Sequence, residues 1–161
     1  MVFPHDDPDI FAAFFDLLYL GTYKFPKLHD GFVEDQHTEV IKLFCLTEKF
    51  DCPELKKCLI RAIIKYGRDK GSPPNVHEVA MLYDGTTSDC RLRMLYVQWW
   101  VGIIHEDFFS NPNIQKAIKN RPEMAMDIIT ELTRFAADPG DYLDPLQLEP
   151  STFFDQGTHK Q

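Results

Sequence analysis

Several patterns that would place this chain of 161 residues in a special class are missing. It has only 8 glycines and no run of five like charges, which excludes collagen-like, low-complexity and polyelectrolyte chains. The longest apolar stretch, residues 10–20, is interrupted by Asp16 and is shorter than the roughly 20 residues of a membrane-spanning helix. No basic segment followed by an apolar one opens the chain. We therefore expect neither a signal peptide nor a membrane span.

The spacings that hold metals or build common active sites are also lacking. The 4 cysteines form no C-x-x-C pair and the 6 histidines form no H-x(3–5)-H pair, so the ligand spacing of a zinc site is absent. Gly-rich phosphate loops and the G-x-S-x-G motif are missing too. We expect no catalytic residue, no metal and no cofactor. Free, buried thiols indicate a reducing compartment, the cytoplasm or the nucleus.

Positive charge is in short supply, because 17 Lys and Arg face 25 Asp and Glu for a net charge of −8. This balance argues against general nucleic-acid binding, which needs clustered cations. The local exception is a basic run made of Lys56, Lys57, Arg61, Lys65, Arg68 and Lys70. Helical spacing puts this run opposite an apolar stripe, as on a solvated helix face. Weak DNA contact through the run is an alternative, which salt-sensitive binding that depends on Lys57, Arg61 and Lys65 would support.

Aromatic residues, in contrast, are abundant. They make up 13% of the chain, and eight of the 13 Phe residues lie within the first 50 positions. Asp7 and Pro8 suit the start of a helix that runs to Leu20, and Gly21 suits its end. Since this helix is apolar around most of its circumference, we expect it to be buried on several sides.

Apolar periodicity predicts six or seven helices in total and no strand, which is an all-α fold. After the first helix, the predicted helices cover about 36–50, 53–66, 76–83, 88–103, a stretch after Asn111-Pro112, and one after Arg121-Pro122. Gly67 is predicted to lie just past the end of the third helix. Residues 138–161 are acidic, contain three prolines and show no periodicity, so we expect a mobile tail.

Two further features could carry chemistry. His105, Glu106 and Asp107 place an imidazole beside two carboxylates, and with a Trp-lined pocket they would suit a small helical enzyme or ligand-binding domain. A deep pocket holding the triplet would favour this alternative, and three exposed side chains would remove it. Trp99 and Trp100 lie on adjacent helix faces, which indicates one core position and one that is partly exposed.

Three segments resemble, in order and spacing, parts of the BTB/POZ domain family. Residues 5–11 (His-Asp-Asp-Pro-Asp-Ile-Phe) and 17–23 (Leu-Leu-Tyr-Leu-Gly-Thr-Tyr) resemble the acidic-Pro-x-x-Phe and Leu-x-Tyr-[Thr/Leu]-Gly-x-Tyr elements that close the central helix of these domains. Residues 46–56 (Leu-Thr-Glu-Lys-Phe-Asp-Cys-Pro-Glu-Leu-Lys) look like the next helical pair. Residues 79–92 are similar to a stretch located after the domain in many fungal members.

The resemblance implies an organisation in three parts. Residues 1–70 would be the C-terminal part of a BTB/POZ-like domain, 71–137 a BACK-like helical extension, and 138–161 the acidic tail. A BTB domain normally opens with a strand-and-helix module that carries its dimer contact, and the sequence resembles only the part of the domain after that module. We therefore expect either a fragment or truncated domain or a degenerate member that has lost this module, and the family's homodimerisation does not carry over.

The function that the resemblance implies is a non-enzymatic protein–protein interaction module of adaptor or scaffold type. Its partners would be another BTB chain or a cullin scaffold, with no nucleic acid, membrane or small-molecule substrate. Recruitment to a cullin-type ubiquitin ligase is an alternative, although residues 2–7 lack the hydrophobic-x-Glu element that many members use. Aromatic anchors dominate many interfaces, so the contact candidates, wherever they are not core, are Phe11, Phe14, Phe15, Trp99 and Trp100.

Overall fold

The computed structural model describes residues 8–23, 37–138 and 144–154. These ranges contain seven α-helices, two short 3₁₀ helices and no strand, which confirms the all-α prediction. The α-helices are α1 (Pro8–Leu20), α2 (Thr38–Lys49), α3 (Pro53–Lys70), α4 (Val76–Gly85), α5 (Arg91–Val101), α6 (Pro112–Asn120) and α7 (Pro122–Ala137). The 3₁₀ helices cover Phe108–Ser110 and Pro150–Phe153.

Local signals account for most helix boundaries. Pro53, Pro112 and Pro122 each occupy the first turn of a helix, where the missing N–H costs no hydrogen bond. The α4 helix begins with a capping box in which the Asn75 side chain accepts from backbone N–H groups and Glu78 reaches back to the Asn75 N–H. The α5 helix begins at Arg91, slightly later than predicted.

The prediction for the end of α3 is wrong. The helix continues through Gly67 to Lys70, and Gly71, with φ of +66°, makes the left-handed turn that ends it. Position 67 lies within the helix, and close neighbours explain why it is a glycine. A Cβ there would lie 2.7 Å from the Trp99 ring and 2.8 Å from a Leu146 methyl. The glycine is therefore required by packing and not by a turn.

One hydrophobic core runs through the described residues. It includes Phe14 of α1, Phe44 of α2, Ile63 of α3, Leu82 of α4 and Tyr96 of α5. Contacts between α2 and α3, between α2 and α4, and between α5 and α7 bring the helices together around it. Residues from 1–70 and from 71–137 thus share the same core.

The described part of the predicted mobile tail, residues 144–154, is packed against the helices. Phe153 is fully buried and Leu146 is nearly so, with the 3₁₀ helix at Pro150–Phe153 in contact with α3 and α5. The prediction is therefore wrong for this segment, because its apolar side chains enter the core despite their acidic neighbours. The other residues of 138–161, apart from Asp138, lie outside the described ranges.

Candidate protein-interaction surface

The inner face of α1 joins the core. Ile10, Phe14 and Leu17 are buried on it. Just past the helix, the Cys58 thiol of α3 donates to the Gly21 carbonyl at 3.4 Å, and the Tyr23 hydroxyl donates to the Glu39 carboxylate of α2 at 3.0 Å. These contacts hold the C-terminal end of α1 against α2 and α3.

The outer face of α1 is apolar and exposed, contrary to the prediction that the helix is buried on several sides. The exposed fractions of its side chains are 53% for Phe15, 49% for Leu18, 86% for Tyr19 and 71% for Leu20. Phe15, Leu18 and Tyr19 are three and four residues apart and share one side of the helix. Leu20 lies about 100° further round the helix, beyond the exposed Asp16. We call the four apolar residues together the α1 outer face.

Phe50, at the end of α2, adds a further exposed apolar side chain near this helix. Its ring lies 5.4 Å from the ring of Phe14, and 47% of the side chain is exposed. The rings of Phe14 and Phe15 meet edge to face at 6.1 Å. Phe14 therefore bridges the buried core and the exposed aromatics around it.

The five aromatic contact candidates divide between core and surface. Phe14, Trp99 and Trp100 are buried, Phe11 is half-buried, and Phe15 alone is largely exposed. The expectation of one partly exposed tryptophan is wrong, because Trp100 donates its indole N–H to the Pro74 carbonyl at 2.8 Å inside the fold. Leu18, Tyr19 and Leu20 were missed because helical periodicity marks a residue as apolar without saying which side has a neighbour.

A second exposed apolar face lies on α7. Met126 and Ile129 are both more than half exposed, while Met124 and Ile128 are the buried residues of this helix. The α7 face has fewer large side chains than the α1 outer face, and it contains no exposed tyrosine. It offers a matched surface for comparison.

The triplet His105, Glu106 and Asp107 is exposed, in the turn after α5. Both tryptophans that were to line its pocket are buried in the core. No group of three or more His, Cys, Asp or Glu side chains in the described ranges could hold a metal ion. The arrangement that would have favoured an enzyme at this triplet is not present.

The basic run on α3 is largely occupied by contacts within the chain. Lys56, predicted on a solvated face, is instead buried and forms an ion pair of 2.9 Å with Glu48 of α2. Lys57 pairs with Glu54 at 2.7 Å, and Arg68 donates to backbone carbonyls of residues 146 and 148. Arg61 and Lys65 are exposed, so the face offers fewer available cations than the sequence suggested.

A buried histidine was missed altogether. His37 is completely buried, with its ring edge to face against Tyr66, Tyr96 and Trp99. Its ring nitrogens lie 2.9 Å from the Tyr96 hydroxyl and 3.1 Å from the Ser72 carbonyl. Burial lowers the pKa of His37 to about 4, so the ring is neutral at pH 7.

The backbone around His37 is tied to a buried carboxylate. Glu78 accepts from the His37 N–H at 2.6 Å and from the Asn75 N–H at 2.7 Å, which joins the first turns of α2 and α4. The first bond links residues far apart in the chain, and the second closes a helix cap. Both act as structural supports, since they join the starts of two helices inside the core.

The Asp84-Gly85-Thr86 segment is structural as well. The Arg93 guanidinium donates to the Thr86 hydroxyl at 2.9 Å and to the carbonyls of Tyr83 and Thr86, while Asp84 accepts two hydrogen bonds from Arg121. Arg93 also pairs with Glu123 of α7 at 2.8 Å. These bonds satisfy the C-terminal carbonyls of α4 and connect α4, α5 and α7.

A small cleft between α3, Arg91 and Phe154 has room for nothing larger than a water molecule. Within the described ranges, none of the helices is long and apolar enough to cross a membrane. Among the described residues, the α1 outer face groups four large exposed apolar side chains on one helix, which suits contact with another molecule.

Comparison of the chain with models of protein families, with curated proteins and with solved structures finds no match. The BTB/POZ resemblance accordingly stays a prediction that rests on the three segments described above.

Proposed function

We propose that this chain is a non-enzymatic protein–protein interaction module of BTB/POZ type, and that it binds its partner through the α1 outer face. The observation that carries the proposal is the exposure of Phe15, Leu18, Tyr19 and Leu20 on a single helix. Clustered large apolar side chains in water mark interaction sites far more often than isolated ones do. Tyr19 in particular offers a large apolar ring with a polar hydroxyl, a combination enriched at interfaces.

The partner that we propose is a strand-and-helix module of another BTB-type chain. The support comes from the resemblance, because α1 is similar to the helix that this family packs against such a module. A helix with one face in its own core and the other apolar suits that position. A cullin scaffold is the other protein that the resemblance suggests, and it serves as the comparison.

The experiment measures binding of the purified chain to a BTB-type chain and to a cullin scaffold by calorimetry. The test variant combines Phe15→Ser, Leu18→Ser and Tyr19→Ser, and the matched control combines Met126→Ser and Ile129→Ser on α7. We expect the BTB-type chain to bind, the α1 variant to lose at least about tenfold in affinity, as for an interface anchor, and the α7 variant to keep it.

Folding is checked in both variants by circular dichroism, and little change is expected because all five side chains are at least half or nearly half exposed. A monomeric chain that binds neither protein would contradict the proposal. Equal losses of affinity in the two variants would show that the α1 outer face is not the binding surface. Tighter binding to the cullin scaffold than to the BTB-type chain would make the cullin scaffold the partner.

A further inference from the structure

The segment 144–154 lies in a groove between α3 and α5, and two apolar side chains anchor it there. Phe153 has no exposed surface and Leu146 has 6%. The groove is shaped for this approach at Gly67, where the missing side chain leaves room for the methyl groups of Leu146 beside the Trp99 ring. The anchors are seven residues apart in the segment.

Basic residues on α3 hold the backbone and the aromatic end of the segment. The Arg68 guanidinium donates through Nε to the Leu146 carbonyl and through a terminal nitrogen to the Leu148 carbonyl, at 2.9 Å for the second bond. The Arg61 guanidinium lies 4.9 Å from the centre of the Phe154 ring, and the Lys57 ammonium lies 5.9 Å from it. Contacts to backbone carbonyls would hold any peptide that follows the same course through the groove.

Charge adds selectivity to this arrangement. The segment contains Asp144 and Glu149 and no Lys or Arg, whereas Lys57, Arg61 and Arg68 of α3 contact its backbone or its Phe154 ring. Apolar pockets, two hydrogen bonds to the peptide backbone and cations on an aromatic ring are what a groove uses to hold a peptide, and the positive charge of these side chains favours an acidic one. In this structure the groove is filled by the chain's own residues.

We propose that the groove between α3 and α5 is a binding site for an acidic peptide segment with a Leu and a Phe anchor, and that residues 144–154 are its intramolecular ligand. A partner segment of the same chemistry displaces them. The site is separate from the α1 outer face, and the inference does not depend on the function proposed above.

The tether makes the intramolecular ligand a strong competitor. Attachment to the same chain gives the segment an effective concentration on the order of 1 mM, so a peptide of micromolar affinity is weakened up to about 1,000-fold while the segment stays in place. Weakening the segment's own anchor therefore increases the affinity for a peptide in solution.

The experiment uses a fluorescein-labelled peptide of residues 144–154 as the probe and measures its anisotropy with the full chain. We expect Phe153→Ser in the chain to tighten binding of the probe at least about tenfold relative to the wild type, because the cis competitor is lost. The matched control is Ser151→Ala, an exposed position of the same 3₁₀ helix, which leaves binding as in the wild type. Adding Arg68→Gln to the Phe153→Ser variant is expected to lower the affinity for the probe again, because two hydrogen bonds to its backbone are lost.

A helical Phe153→Ser variant that binds the probe no better than the wild type would overturn the proposal. So would a Phe153→Ser variant that loses its helical circular dichroism, since the segment would then be a part of the core that nothing can displace. A wild-type chain that forms a concentration-dependent dimer, abolished by Phe153→Ser, would assign the groove to the segment of a second copy and not to a partner peptide.

Discussion

His37 is a neutral imidazole held in the core, and its hydrogen bonds define which nitrogen carries the proton. The Ser72 carbonyl can only accept, so Nε2 is the donor, and Nδ1 accepts from the Tyr96 hydroxyl. Burial raises the pKa of Tyr96, which keeps that hydroxyl protonated. Among the described residues, Tyr66 and the Glu78 carboxylate are further titratable groups near the ring.

The depressed pKa of His37 makes stability depend on pH. Because the ring binds a proton at pH 6.5 when unfolded but only at about pH 4 when folded, protonation favours the unfolded chain as the pH falls through this window. The loss amounts to about 3 kcal/mol of unfolding free energy between pH 7 and pH 4. Urea unfolding of wild type and His37→Gln at both pH values measures it, and the variant's pH dependence is smaller by that amount.

The control for this measurement is His105→Gln, since His105 is exposed. It is expected to keep the pH dependence of the wild type. A His37→Gln variant with the same loss between pH 7 and pH 4 as the wild type would contradict the assignment of the effect to the buried ring.

The stability of the fold is expected to depend on the shape of the Arg93 side chain as well as on its charge. Its planar guanidinium donates to the Thr86 hydroxyl and the Tyr83 carbonyl and pairs with the Glu123 carboxylate. It also lies 4.3 Å from the centre of the Tyr83 ring, and a lysine ammonium cannot make all of these contacts at once. We expect Arg93→Lys to lower the unfolding free energy by at least about 2 kcal/mol, because buried carbonyls lose their donors. Urea unfolding measures the change.

Glu123→Gln is the matched control, because the Glu123 side chain is mostly exposed and its pair with Arg93 contributes less than about 1 kcal/mol. If the two substitutions cost the same, the ion pair and not the set of carbonyl bonds would be the important contact of Arg93.

Single residues show clearly what sequence patterns leave open. Lys56 and His37 are polar and were expected at the surface or given no role, yet both are buried, with Glu48 and Tyr96 as partners on other helices. A polar residue enters a core only when its partners are there to receive it. The partner of His37 is 59 positions away and that of Lys56 lies on the preceding helix, so no pattern within one helix marks such a residue in advance.

At the scale of a helix, α1 combines two environments within a few residues. Phe14 is buried in the core, while the neighbouring Phe15 is more than half exposed. The α1 helix therefore contributes to stability through one face and remains available for binding through the other. The separation of roles arises from the rotation of about 100° between adjacent residues of a helix.

This separation predicts opposite results for two adjacent substitutions. Phe14→Ala is expected to cost about 3 to 5 kcal/mol, because it removes a buried ring and leaves a cavity. Phe15→Ala is expected to change stability by no more than about 0.5 kcal/mol, as at an exposed position. Thermal unfolding of both variants provides the measurement. Similar losses for the two would mean that Phe15 is covered by other parts of the chain.

Helix starts were predictable because their signals are local. Pro53, Pro112 and Pro122 begin helices as expected, and Gly21, with φ of +64°, lies directly after the end of α1. The end of α3 was misjudged at Gly67, where a glycine serves close packing against Trp99. Turn and packing glycines look alike in a sequence, because both can stand after an apolar helical stripe.

The molecule as a whole has one core in its described residues, although the resemblance divides the chain at residue 70. The division runs between α3 and α4, but the Glu78 carboxylate of α4 accepts from the His37 N–H at the start of α2, and the Tyr96 hydroxyl of α5 bonds to the His37 ring. Contacts of this kind couple the two parts during unfolding.

We therefore expect a single cooperative unfolding transition in urea. Helical circular dichroism reports on all helices, whereas tryptophan emission reports on α5 alone, since Trp99 and Trp100 are the 2 tryptophans. The midpoints of the two signals should coincide, as two-state unfolding requires. Separate midpoints would instead support residues 1–70 and 71–137 as independent domains.

Residue order was enough to predict the all-α class, the number of helices and most of their starts, because periodicity and the conformational limits of proline and glycine act over a few neighbours. The exposed face of α1, the buried His37 and the packed segment 144–154 depended on tertiary structure. Each depends on which residues far apart in sequence come together, as in the hydrogen bond between His37 and Glu78, which are 41 positions apart. Apolar character shows that a side chain favours burial, and only the complete arrangement of helices decides which side chains find a neighbour.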